Sequence, residues 1–122
     1  MTEPDLLDFV RTSIRSVWTL ELLLAMRRHP SRSFAPAQLV AELRASDLVV
    51  SDGLTILQSS GLVSAERDGT FRYAPASPHI EQLVQRLDQL YRERPATVTR
   101  AIFSAPSDKL QVFADAFRLT KD

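Results

Sequence analysis

The chain has no cysteine, only three glycines, one tryptophan and no net charge. Without cysteine there is no disulfide framework, no thiolate metal ligand and no thiol nucleophile, a composition that suits a reducing compartment. Three glycines are too few to build a phosphate-cradling loop, and each reads as structural: Gly53 as a small residue within a helix, Gly61 as a helix C-cap, Gly69 as part of a turn. No apolar stretch approaches the length of a bilayer span, and MTEPDLLDFV carries acids where a secretory signal needs bases. We therefore expect a cytoplasmic protein with no membrane partner. Fifteen Lys and Arg balance fifteen Asp and Glu, so the global electrostatic pull of a typical nucleic-acid binder is missing.

Catalytic signals are equally sparse. His29 and His79 each adjoin a proline at an expected helix boundary, and neither has a second histidine or a carboxylate at metal-ligand spacing. The serines sit in no nucleophile-elbow pattern with an obvious base. The expectation is a non-enzymatic protein with no metal and no cofactor.

What is present is helical periodicity. At 122 residues and 44% hydrophobic content, the chain can bury one substantial core. Residues 5–28 read as one continuous helix, with Leu6, Phe9, Val10, Ile14, Val17 and Trp18 on one face. From Val17 to Met26 apolar residues surround the axis, which marks the central helix of the core. His29-Pro30 stops it, and Ser31 to Phe34 reads as a short loop. A second helix starts near Pro36 with Leu39, Val40 and Leu43 inward. Ser46 or Asp47 caps a third helix, about 47–60, with Val50, Leu54 and Leu57 inward and Ser51, Asp52, Thr55 and Gln58 outward. Gly61 closes it as a left-handed cap.

After Gly61, LVSAER and TFRYAP have strand-like composition and are joined by Asp68-Gly69, a pair suited to a tight hairpin with positive φ. The stretch LVVSDGLTILQSSGLVSAERDGTFRYAP, with Leu57, Gly61, Leu62 and Val63 leading from a helix into a charged hairpin, resembles the MarR-type and related winged-helix regulators. The resemblance spans roughly residues 14–75. It implies a mainly α (α+β winged helix) fold: a three-helix HTH core and a two-stranded β-wing, flanked by N-terminal and C-terminal helices. The expected organisation is a winged helix-turn-helix unit over 1–75 and a helical extension over 76–122.

In that extension Ser77-Pro78 starts a helix whose Ile80, Leu83, Val84, Leu87, Leu90 and Tyr91 form a near-heptad stripe. The stripe either completes the monomer's own core or forms a homodimer seam, with Ile80, Leu83, Leu87, Leu90 and Tyr91 as the dimerisation residues. Pro95 restarts a short helix around 96–103, and Ser107-Asp108 caps a last one carrying Leu110, Phe113 and Phe117.

The resemblance implies double-stranded DNA as partner, with the third helix in the major groove. Carried over by position, Ser51, Asp52, Thr55 and Gln58 read bases, while Arg67 and Arg72 on the wing and the cluster Arg27, Arg28 and Arg32 hold phosphates. The sequence departs from the pattern at Asp52, where such regulators commonly carry a base. Residues 33–75 hold the acids Glu42, Asp47, Asp52, Glu66 and Asp68 against Arg44, Arg67 and Arg72. A protein-binding adaptor is the alternative, docking through the third helix or the C-terminal helices with Phe103, Phe113 and Phe117 as contacts if they are not core. A small-molecule pocket around Trp18 and Tyr91 is a third, more remote reading.

Overall fold

Caps written into the sequence begin most of the helices. In the computed structural model, which describes residues 2–104, Thr2 caps α1 (Glu3–Phe9) in a reciprocal box. Its hydroxyl accepts from the Asp5 backbone N–H, and the Asp5 carboxylate accepts from the Thr2 N–H. Ser16, Ser46 and Ser77 do the same one-sidedly for α2 (Val17–Arg27), α4 (Asp47–Ser59) and α5 (Pro78–Glu93), each accepting from an N–H three residues on. Between them, α3 spans Pro36–Leu43, and α6, Pro95–Ser104, follows α5. The helix expected from Ser107 lies outside the described residues.

The helix expected over 5–28 is in fact two. Beyond α1 the chain passes through a π-helical turn, Val10–Ile14, and Arg15 then takes a left-handed conformation with φ 73°. Ser16 is extended and its hydroxyl accepts from the Thr19 N–H, which opens α2 afresh. The break resets the helical phase. Val10 and Ile14 stay fully buried, but Trp18, expected on the same inward face, is turned out and 48% exposed.

The expected two-stranded wing is a three-stranded antiparallel sheet. Ser33–Phe34, read from sequence as loop, forms β1 and pairs with β3 (Phe71–Tyr73), which also pairs with β2 (Val63–Ala65). Ser33 stands opposite Arg72 and Phe34 opposite Phe71. A two-residue strand is too short to show alternation, yet burial of Phe34 fixes it in place. The β2–β3 connection also differs from a tight two-residue hairpin. Glu66 N–H donates to the Thr70 carbonyl and Gly69 N–H to the Glu66 carbonyl, and only Gly69, at φ 85°, is left-handed. This is a three-residue loop closed by a glycine bulge. Asp68 stiffens it by accepting from both the N–H and the hydroxyl of Thr70.

Gly61 performs the capping role read from the sequence. At φ 73° it lets Leu62 N–H reach the Leu57 carbonyl and its own N–H reach that of Gln58, the paired bonds of a Schellman motif. The motif turns the chain from α4 straight into β2.

α2 is the axis of the core, with Leu20 and Leu22 through Met26 all buried. Leu39 of α3, Val50, Leu54 and Leu57 of α4, and Leu62 and Val63 close on it. The same continuous cluster takes in Leu6 from α1, Val84, Leu87 and Leu90 from α5, and Val98 and Ile102 from α6, so segments 1–75 and 76–104 share one core. Burying a leucine of this kind contributes about 1.5–3 kcal/mol. Of the residues expected at a dimer seam, Leu87 and Leu90 are enclosed in the chain's own interior. Ile80, Leu83 and Tyr91 pack half-buried against it. No helix among the described residues is long and apolar enough to cross a membrane.

Candidate functional site

Most of the side chains singled out in the sequence lie on two consecutive elements, the outer face of α4 and the hairpin that Gly61 leads into directly. α4 is held by its inward residues, and Gly53 sets how closely it approaches α2. A Cβ there would lie 2.8 Å from Leu22 Cδ2 and 3.6 Å from Thr19 Oγ1, so only glycine fits without a shift. This close seating leaves Ser51, Asp52, Thr55 and Gln58 exposed together, as the periodicity implied. Two neighbours that the sequence reading left out belong to the same face. Leu48, in the first turn, is 69% exposed, and Ser59 continues the line at the other end. Their spacing from Asp52 and Thr55, four and seven residues, is the signal that would have found them.

The hydroxyls on this face are not equivalent. Thr55 Oγ1 donates to the Ser51 carbonyl at 3.0 Å, and Ser59 Oγ to the Thr55 carbonyl at 2.8 Å. Asp47 lies at the helix N-terminus, where its charge complements the dipole. Before it, the turn between α3 and α4 is made by Arg44 in the left-handed conformation at φ 54°.

The arginines separate into two groups. The β1–β3 ladder sets Ser33, the residue after Arg32, opposite Arg72 in the central strand, although the two strands are far apart in sequence. Arg32 stacks over Phe34 with its guanidinium carbon 4.6 Å from the ring centroid. Arg72 pairs with Glu66 at 3.3 Å, both partly exposed, an arrangement worth at most about 1 kcal/mol and therefore easily exchanged. Arg67 is exposed in the β2–β3 loop beside Asp68, in a shallow groove lined also by Ser33, Glu66 and Thr70. The two hydrogen bonds from Thr70 hold the Asp68 carboxyl below the usual carboxylate range. Arg28, at the C-terminus of α2, is exposed on the loop that leads to Arg32.

Arg27, grouped with these by sequence, points elsewhere. Its guanidinium bridges Asp88 at 2.9 Å and Glu81 at 3.4 Å on α5, and its Nε is buried without a partner. Glu81 also accepts the Tyr73 hydroxyl, Asp88 holds Arg92 at 3.2 Å, and Tyr91 donates to Glu21 at 2.8 Å. These groups tie α5 onto α2 and β3, so Arg27 is a structural tether. Tyr91, offered from sequence as a dimer or pocket residue, has its hydroxyl committed within the monomer. Phe103 is 72% exposed, so the core reading that competed with a contact role does not hold for it. Phe113 and Phe117 lie outside the described residues. Compared with known protein families, curated proteins and solved structures, the chain matches none.

Proposed function

We propose that the chain is a DNA-binding transcriptional regulator of winged helix-turn-helix type, MarR-like in plan, that acts as a homodimer. The observation that carries this reading is the outer face of α4, which exposes Ser51, Asp52, Thr55 and Gln58 together and is followed directly by a hairpin bearing Arg67 and Arg72. The order α2, β1, α3, α4, β2, β3, with β3 central in a small antiparallel sheet, supports this reading. In this reading α4 enters the major groove, Arg67 and Arg72 reach the adjoining backbone, and Arg28 and Arg32 add phosphate contacts. Asp47 and Asp52 oppose phosphate, so the non-specific affinity of one copy is modest, and a second copy supplies the remaining contacts. Light scattering of the purified protein tests the dimer.

A specific observation favours a second reading, in which the chain is a non-enzymatic adaptor for another protein: Trp18, Leu48 and Phe103 are large apolar side chains left in solvent. Selection of genomic DNA fragments by purified protein, at low and moderate salt, separates the two. Enrichment of a defined, two-fold symmetric site is expected for the regulator. Absence of any enriched fragment at either salt would overturn it in favour of the adaptor.

A further inference from the structure

Resting on the DNA reading of α4, the side-chain chemistry of its outer face narrows which bases it reads. Leu48, Asp52, Thr55 and Ser59 are spaced four, three and four residues apart, so they form one stripe down the exposed side of the helix. The hydrogen-bonding character of that stripe is one-sided. A hydroxyl has one proton, and Thr55 and Ser59 have given theirs to the carbonyls of Ser51 and Thr55. What they present outward is lone pairs. The Asp52 carboxylate adds only acceptors. Donors lie on the flank, in the Ser51 hydroxyl and the Gln58 amide, neither of which has a partner among the described residues. At the leading end stands Leu48, apolar and exposed.

We propose that this stripe selects the exocyclic amino groups of cytosine and adenine and the methyl of thymine, with Asp52 as the determinant for cytosine, and that it discriminates against guanine. In the major groove cytosine shows an N4 donor and adenine an N6 donor, whereas guanine shows only the N7 and O6 acceptors. Guanine opposite Asp52 would set acceptor against acceptor in a desolvated groove. Cytosine there gives a charge-assisted hydrogen bond. Residues in the first turns of a groove-bound helix meet the base edges, which puts Leu48 against a thymine methyl. The carboxylate that opposes phosphate is on this account the source of sequence preference, and the arginines of the sheet and wing supply the attraction that it withholds.

The test is selection from a random duplex library with the full chain and with its Asp52→Asn and Leu48→Ala variants, both at exposed positions. The wild type should enrich sites with an invariant cytosine, and Asp52→Asn should respecify that position to adenine, because an amide pairs bidentately with adenine N6 and N7. Leu48→Ala should lose preference at a neighbouring thymine. Replacing the selected cytosine with N4-methylcytosine, which blocks its groove-facing donor, should weaken wild-type binding about 5- to 150-fold without any change to the protein. An enriched site whose Asp52-dependent position is guanine, or one that Asp52→Asn and N4-methylcytosine both leave unaltered, overturns the base assignment while DNA binding stands. No enrichment by any of the three proteins overturns the DNA reading itself.

Discussion

Gly53→Ala isolates the contact that seats α4. In an exposed helix interior this change stabilises by roughly 1 kcal/mol, because alanine loses less backbone entropy than glycine. Here the new methyl would sit 2.8 Å from Leu22 Cδ2, whereas carbon atoms pack at about 3.5–4.0 Å. Something must move by about 1 Å. Leu22 is 1% exposed and surrounded by core, so its methyl has no empty space to enter. Overpacking of this kind costs about 1–3 kcal/mol, and the balance is a destabilisation of up to about 2 kcal/mol. Urea denaturation of the two single variants and of Gly53→Ala with Leu22→Ala reads the coupling directly. In the Leu22→Ala background the clash is gone and Gly53→Ala should turn stabilising. If Gly53→Ala stabilises the otherwise unaltered protein by its full helix-propensity gain, the close approach of α2 and α4 described above is wrong.

Arg27→Met should destabilise by about 1–3 kcal/mol in urea, since it leaves Glu81 and Asp88 without their shared cation, although Arg92 still accompanies Asp88; an unchanged midpoint would refute its role as tether. Gly61→Ala should cost about 1–2 kcal/mol for a left-handed alanine, aggravated by a Cβ 3.1 Å from that of Ala76. Arg44→Gly, at the left-handed end of α3, should stabilise by up to about 1 kcal/mol, and thermal unfolding of both variants checks the opposite signs. Burial first, and then hydrogen bonding to Glu21, pushes the Tyr91 phenol up to about 12, and burial together with Glu81 raises Tyr73 as well. A folded phenol titrating above its unfolded value of about 10 gives stability that is whole below pH 10 and declines as pH rises toward 12. Denaturant midpoints along that range should fall less steeply in Tyr73→Phe/Tyr91→Phe than in the wild type, and parallel declines would refute the assignment.

Local signals in the sequence were sufficient wherever one residue type settles a conformation. Ser46 and Ser77 cap helices, Gly61 terminates one, Pro95 restarts another, and the inward leucines of α4 follow their periodicity. The break at Arg15 was illegible because no glycine or proline marks it and the apolar spacing runs on across it. β1 was illegible because a two-residue strand exists only through its partner, β3. The same holds for Arg27, which looked like a member of a surface cluster because the carboxylates that claim it lie 54 and 61 residues away. At the candidate site the polar residues of α4 could be read from their spacing. The committed protons of Thr55 and Ser59, and the exposure of Leu48, required the fold.

The proposal that α4 and the β2–β3 hairpin bind duplex DNA is tested most directly by the salt dependence of affinity. On one duplex fragment, the slope of log affinity against log salt should be clearly negative for the wild type. It should flatten by about 2 in Arg67→Ala/Arg72→Ala, one unit for each phosphate contact removed. A slope that the double variant leaves unchanged, or no measurable binding to duplex DNA at low salt, would contradict the account.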